Sequence, residues 1–125
     1  MRLAFVVPGN PIPTARPRVV KGHAYLPKAS TDYQECVAFY AKHAMRLRNG
    51  HGEFPLPGLL KLEVRFIRDS WRRCDLDNLV KGVKDGLTRA GVWKDDSQVV
   101  ECHTFKEVSA LEPRAEVVVE LAAPF

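Results

Sequence analysis

The chain has 125 residues and a formal net charge of +4, and this length predicts a single domain over residues 1–125. With 46% hydrophobic and 27% charged residues it has the composition of a globular protein, which excludes a disordered tail or a fibre. Apolar stretches stay well short of the ~18 residues of a membrane-spanning helix, and no signal-peptide pattern is present, so we expect no membrane partner.

The cysteines indicate the cellular compartment. The chain has three of them, Cys36, Cys74 and Cys102, which is an odd number, and none belongs to a CxxC motif. This usage excludes a disulfide scaffold and a zinc knuckle, and it is typical of a reduced protein. We therefore expect a cytoplasmic protein, associated with the nucleoid when it is bound to DNA.

The charge is distributed unevenly along the chain. Residues 1–73 carry 13 basic and 5 acidic side chains, whereas residues 74–125 carry 6 basic and 10 acidic ones. A basic first half indicates a polyanionic partner. Nucleic acid is favoured over an anionic membrane because the sequence contains no amphipathic basic helix.

The first half of the chain predicts a strand, a small hairpin and a helix. An apolar strand over Leu3–Val7 ends at Pro8, and a hairpin turns at Lys21-Gly22. The pattern Thr31-x-x-Gln34 resembles a capping box and predicts a helix that starts at Ser30 or Thr31. Asn49-Gly50 is expected to end it. The helix face expected to be buried comprises Tyr33, Val37, Tyr40, Ala44 and Leu47.

The second half predicts a strand, a second helix and two further strands. Alternating apolar residues indicate a strand over 60–66, and a helix is predicted over about 76–90, ended by Gly91. Two strands over about 98–106 and 115–121 are interpreted as a hairpin. This order predicts an α+β fold, in which two main helices pack on one face of a small mixed β-sheet.

Two acidic clusters flank the predicted second helix. Asp75 and Asp77 lie at its start, and Asp95 and Asp96 lie just beyond its end. A helix of fifteen residues is about 22 Å long, so the clusters meet only if the chain folds back. If they meet, their oxygen ligands favour Mg²⁺, with Mn²⁺ as a possible substitute, over zinc. Such a cation activates water against a phosphodiester.

The same acidic residues also have simpler interpretations. Asp75 can cap the helix, and Asp95-Asp96 can form a turn. Lys81 lies one turn after Asp77, where it either forms a solvated ion pair or stabilises a scissile phosphate. The combination of these residues with Arg72-Arg73 in a chain with a basic first half favours a nuclease-like site.

The run RRCDLDNLVKGVKDGLTRAGVWKDDSQV, residues 72–99, closely resembles the core of the RusA family of Holliday-junction resolvases. The shared pattern is Asp-x-Asp-Asn, a lysine one turn later, Asp-x-Leu on the helix, and Asp-Asp-x-x-Val after it. The resemblance implies a homodimer that binds four-way junction DNA and makes paired, symmetric, Mg²⁺-dependent nicks in DNA recombination and repair. It implies metal-binding and catalytic roles for Asp75, Asp77 and Asp96, a neighbouring metal-ligand role for Asp95, and a catalytic role for Lys81.

The basic side chains complete the hypothesis of a junction-resolving endonuclease. The residues expected to bind DNA are Arg16, Arg18, Lys21, Arg72 and Arg73. Two alternatives to this hypothesis stay open. The chain could instead be a non-catalytic junction-binding module with a structural metal site, or an unrelated basic domain that assembles with protein partners.

Overall fold

The computed structural model describes residues 2–15, 18–48 and 53–122, with the exception of the Arg18 side chain. These residues include two α-helices, six strands and one short 3₁₀ helix. The elements in chain order are β1 (Arg2–Pro8), β2 (Arg18–Val20), β3 (His23–Tyr25), α1 (Lys28–Leu47), β4 (Leu60–Arg68), α2 (Leu76–Ala90), the 3₁₀ helix (Asp96–Gln98), β5 (Val99–Val108) and β6 (Arg114–Leu121).

Four of the strands form one mixed sheet in the order β1-β6-β4-β5, and β2 and β3 form the separate predicted hairpin. Strand β6 runs antiparallel to both β1 and β4, whereas β5 runs parallel to β4. The interpretation of β5 and β6 as a hairpin is therefore wrong. Helix α2 carries the chain back before β5 starts, as a parallel crossover requires, and β4 then lies between β5 and β6.

The predicted α+β fold is confirmed, with both helices packed against the sheet over one hydrophobic core. Alternate residues of β4, from Leu60 to Phe66, are fully buried. Helix α2 has the predicted bounds and ends at Gly91 in the left-handed conformation (φ 80°). Trp93 follows it into the core, where its side chain is 1% exposed. No helix among the described residues is long and apolar enough to cross a membrane.

Helix α1 begins earlier than the capping-box pattern predicted. It starts at Lys28 after Pro27, and no side chain caps its N-terminus. Ser30 is instead buried, and its hydroxyl oxygen accepts a 3.0 Å hydrogen bond from the Ala15 backbone N–H, which ties the proline-rich arm to the helix. The predicted stop at Asn49-Gly50 lies outside the described residues. Of the helix face predicted to be buried, Tyr33, Val37 and Ala44 are buried and Tyr40 is half-buried. The prediction is wrong for Leu47, which is 74% exposed.

Glycine lets α1 and α2 approach each other closely. A Cβ atom on Gly86 would lie 2.7 Å from the Val37 Cβ and 2.9 Å from the Gln34 backbone oxygen. A side chain at this position would push the two helices apart. This close contact therefore fixes how α2 is oriented against α1.

Candidate functional site

The first acidic cluster lies at the N-terminus of α2. Asp75 is the residue before the helix, in extended conformation, and its carboxylate makes no capping hydrogen bond. Asp77 lies in the first helical turn, where the positive end of the helix dipole favours its charge. Both residues are exposed. The capping interpretation of Asp75 thus holds for the backbone only, and its carboxylate is left available to bind a ligand.

Lys81 lies on the polar face of α2 and is paired with Asp85 rather than with Asp77. The Lys81 Nζ is 3.8 Å from the Asp85 Oδ2, and the lysine side chain is 63% exposed. The amide of Gln34, a residue 2% exposed, donates a 3.3 Å hydrogen bond to the same Asp85 oxygen. The buried amide orients Asp85, which in turn holds the Lys81 ammonium on the face of the helix that carries Asp77.

The loop 69–74 before α2 is held in place at both ends. The Asp69 backbone N–H donates a 3.0 Å hydrogen bond to the Asn10 side-chain oxygen. At the other end the Lys106 ammonium donates a 3.0 Å hydrogen bond to the Cys74 carbonyl oxygen. Cys74 is half-buried and packs against the core. The position of Asp75 is therefore set by the ends of β4 and β5 together.

The second acidic cluster forms a tight turn before β5. The Asp95 Oδ1 accepts a 3.0 Å hydrogen bond from the Ser97 backbone N–H, and this bond is the main cause that lowers the pKa of Asp95. Gln98 closes the capping box, and its side-chain amide donates to the backbone oxygens of Leu56 and Gly58. The turn interpretation thus applies to Asp95, whose carboxylate caps the 3₁₀ helix, while Asp96 is exposed beside it.

The two clusters lie at opposite ends of the protomer. Gln98 fixes the second cluster to the chain just before β4, whereas Lys106, hydrogen-bonded to Cys74, lies at the far end of β5. The residues from Val99 to Lys106 extend over roughly 23 Å at 3.3 Å per residue. Accordingly, among the described residues, no three His, Cys, Asp or Glu side chains are placed to hold a metal ion. One protomer does not bring Asp75 and Asp77 together with Asp96.

The predicted DNA-binding residues lie in three places. Arg72 and Arg73 are exposed on the loop before Asp75, next to Trp71, which is 69% exposed. Lys21 is exposed at the turn of the β2–β3 hairpin, with a left-handed φ of 51°. Arg16 and the side chain of Arg18 lie outside the described residues.

A cleft of about 410 Å³ lies beside the loop 69–74, and sequence reasoning missed the residue at its base. Arg68 is the last residue of β4, is 7% exposed, and lines this cleft with Arg72 and Arg73. The alternation of β4 is the signal that could have identified it, because Arg68 continues the buried series from Leu60 to Phe66, and charged side chains are seldom buried without a role. Outside the cleft, Phe105 is 38% exposed, and the Arg65 guanidinium lies 4.4 Å from the centre of its ring.

Comparisons with known proteins show the family to which the chain belongs. The family described as endodeoxyribonuclease RusA matches residues 8–120. The crossover junction endodeoxyribonuclease RusA of Escherichia coli K12 is 34% identical over 86 residues, which cover 69% of this chain and 67% of that protein. The enzyme of the same name from Enterobacteria phage 82 is 33% identical over 86 residues, with the same shares. An uncharacterized Bacillus subtilis protein, YqaN, is 53% identical over 45 residues, 36% of this chain and 30% of its own.

Proposed function

Because the chain belongs to the RusA family of endodeoxyribonucleases, we propose that it resolves four-way DNA junctions by paired, symmetric hydrolysis of two phosphodiesters. The observation that carries this proposal is the pair of exposed carboxylates at the start of α2. Asp75 and Asp77 lie between the exposed Arg72-Arg73 pair and the Lys81 ammonium. Basic groups that attract phosphates thus flank carboxylates that can bind a cation.

The donor set at the start of α2 fits a hard cation. Asp75 and Asp77 offer carboxylate oxygens, which suit Mg²⁺ or Mn²⁺ better than zinc. A cation held there would supply Lewis-acid chemistry, which polarises a phosphodiester and makes water more acidic. A third carboxylate of the motif, that of Asp96, is too distant in the same protomer.

A homodimer across the outer edge of β5 provides the missing carboxylate. Among the described residues β5 is an edge strand of the sheet, and it pairs with β4 alone. It is ten residues long and mostly exposed, and it carries the exposed apolar residues Val100 and Phe105. A long, partly apolar edge strand of this kind is suited to pair with another strand. A second copy of this chain, related by a two-fold axis, offers the matching edge.

The two-fold axis reverses the direction of the second β5 strand. If the axis passes near Cys102 or His103, the start of one β5 strand lies beside the end of the other. Since Lys106 ties the end of β5 to Cys74, the partner subunit's Asp96 then comes close to Asp75 and Asp77. The dimer would hold two such composite sites, one for each of the strands that are cut.

The basic side chains then have separate tasks. Lys81, oriented by Asp85, neutralises the scissile phosphate or protonates the leaving oxygen. Arg72, Arg73, Lys21, Arg16 and Arg18 bind flanking phosphates, so binding should weaken as salt increases. We place this activity in the cytoplasm, at the nucleoid, and assign it to one domain over residues 1–125.

A cleavage assay on a labelled four-way junction tests the proposal. We expect paired nicks with Mg²⁺ or Mn²⁺, none with a chelator, and little cleavage of a linear duplex of the same sequence. Junction binding without nicks at every Mg²⁺ and Mn²⁺ concentration would instead identify a non-catalytic junction-binding module. Absence of both binding and nicks would favour the unrelated basic domain.

A further inference from the structure

The cleft beside the loop 69–74 contains more positive charge than its surroundings neutralise. Its lining includes the side chains of Arg68, Arg72 and Arg73 and one carboxylate, that of Asp69. The ion pairs found among the described residues involve none of these three arginines. The cleft is therefore an unneutralised cationic site, about 410 Å³ in volume, directly before Asp75.

Arg68 provides the second observation that indicates a ligand. The residue as a whole is 7% exposed, so it is more than nine-tenths buried. Its Nη1 donates a 2.7 Å hydrogen bond to the Arg72 carbonyl oxygen, but its buried Nε has no acceptor among the described residues. A buried N–H without an acceptor costs folding free energy, so its retention calls for an explanation.

Hydrogen bonds within the protein fix the backbone that lines the cleft. Asn10 fixes the backbone of Asp69, and the Ser70 hydroxyl accepts a hydrogen bond from the Arg72 backbone N–H. Lys106 fixes the far end of the loop at Cys74, which also lines the cleft. The Arg72 and Arg73 side chains are exposed, and thus can turn towards a ligand without breaking an ion pair.

We propose that this cleft binds one phosphodiester of the DNA strand that is cut, with Arg68 at its base and Arg72 and Arg73 at its rim. Guanidinium groups suit this role because their N–H donors match phosphate oxygens in pairs. The proposal rests on the nuclease function proposed above and adds a phosphate-binding position next to the metal ligands. Arg68 would act as a substrate-binding residue, because it contacts a phosphate of the DNA without touching the reacting atoms.

The first test follows the Arg68 Nε–H by nuclear magnetic resonance of the wild-type protein. Addition of a four-way junction without divalent metal should shift this signal downfield and slow its exchange with water, because a phosphate oxygen becomes its acceptor. An unchanged signal at saturating DNA would overturn the proposal and leave Arg68 as a support for the loop. A shift with inorganic phosphate and none with DNA would overturn the assignment to a DNA phosphate.

The second test separates the charge of Arg68 from its hydrogen bond to Arg72. Arg68→Gln keeps an N–H donor for the Arg72 carbonyl but removes the charge, whereas Arg68→Lys keeps the charge. The binding constant K falls as salt rises, and we expect the Gln variant to make the slope of log K against log salt less steep by about 0.9 per occupied cleft. If binding is equal at 1 M salt, this change corresponds to about eightfold weaker binding at 0.1 M salt. The Lys variant should recover most of this loss.

The matched control is Arg46→Gln, in the last turn of α1, where the side chain is exposed and outside the cleft. Its binding and salt slope should stay near those of the wild type. Equal slopes for Arg68→Gln and the wild type, with both folded by circular dichroism, would overturn the proposal. DNA binding with the expected Arg68 effects but no cleavage with metal would contradict the nuclease function and support the cleft alone.

Discussion

The Lys106 ammonium donates a 3.0 Å hydrogen bond to the Cys74 carbonyl oxygen, and so joins the end of β5 to the residue before Asp75. Asp96 lies before the start of the same strand. Strand β5 therefore separates the two acidic clusters by nearly its whole length within one protomer. An antiparallel partner strand would reverse that relationship, and the first two predictions depend on it.

Mixing of two inactive variants distinguishes a composite site from a site within one chain. Asp77→Asn and Asp96→Asn should each abolish cleavage alone, while junction binding persists or tightens because a carboxylate no longer repels phosphate. In a mixed dimer, one composite site is wild-type and the other carries both substitutions. We expect the mixture to nick junctions in one strand, as measured on a denaturing gel. Sites confined to one chain would leave the mixture inactive.

The edge of β5 should control both assembly and activity. Val100 is 46% exposed on β5 and would pack against the partner strand in the proposed dimer. Its replacement by glutamate should destabilise the dimer, because a charge would be buried at the interface. We expect Val100→Glu to be monomeric by analytical ultracentrifugation and to lose cleavage. Val6→Glu is the matched control, since Val6 is 47% exposed on β1 at the opposite edge of the sheet. Loss of the dimer in the control alone would assign the interface to β1.

Lys81 should be needed for cleavage and dispensable for folding. Its side chain is 63% exposed and forms one long ion pair, so Lys81→Ala should change the free energy of unfolding by less than about 0.5 kcal/mol. We expect a loss of cleavage of at least about 100-fold in single-turnover assays. Lys42→Ala, an exposed lysine of α1, should cleave normally. Full activity of the Lys81 variant would remove its assigned role.

Tyr33 should make the protein sensitive to alkaline pH. Burial, and to a lesser degree Cys36, raise the pKa of the Tyr33 hydroxyl well above its usual value near 10. Its contribution to stability is complete below pH 10 and decreases as pH rises above it, because the unfolded chain then loses the proton first. The free energy of unfolding should therefore fall with pH above 10 in the wild type, and less in Tyr33→Phe.

The same substitution should not weaken the protein at neutral pH. The Tyr33 hydroxyl is buried without a hydrogen-bond partner among the described residues, so its removal should be neutral or stabilising by about 1 kcal/mol. Urea unfolding at pH 7 and pH 11 measures both effects. Tyr40→Phe, at a half-buried tyrosine of the same helix, controls for the loss of a phenol hydroxyl. A marked loss at pH 7 would mean that the hydroxyl has a partner.

Gly86→Ala should test the close contact between the helices. The new Cβ would lie 2.7 Å from Val37 and 2.9 Å from a backbone oxygen. Overpacking of this kind costs about 1–3 kcal/mol, against a gain of up to about 1 kcal/mol in helix propensity. We expect a net loss of about 1–2 kcal/mol by urea unfolding. Gly82→Ala, whose nearest neighbour is the Thr14 side-chain oxygen at 2.9 Å, should lose less because a side chain can turn.

Much of the fold could be predicted because it depends on local signals. The apolar period and Gly91 determine the bounds of α2, and alternation identifies β4 and most of β5 and β6. The start of α1 could not be predicted, because Ser30 is used by the distant backbone of Ala15 rather than by its own helix. The position of β6 between β1 and β4 could not be predicted either, because it also depends on contacts between distant parts of the chain. Strand order depends on the crossover through α2, and neither β5 nor β6 encodes its neighbour.

The sequence by itself identified the candidate residues: Asp75, Asp77 and Asp96 are proposed to bind a cation, and Lys81 and the arginines are proposed to bind phosphate. Their spacing along the chain and their residue types are local properties, and these suffice to identify the family pattern. The tertiary structure alone decided that Asp96 lies a strand's length from Asp75, and that Arg68 lies buried beneath Arg72 and Arg73. The first relationship is set by the parallel pairing of β4 with β5, which joins residues distant in the chain. The second is set by the burial of Arg68 at the end of β4 and by its hydrogen bond to the Arg72 carbonyl oxygen.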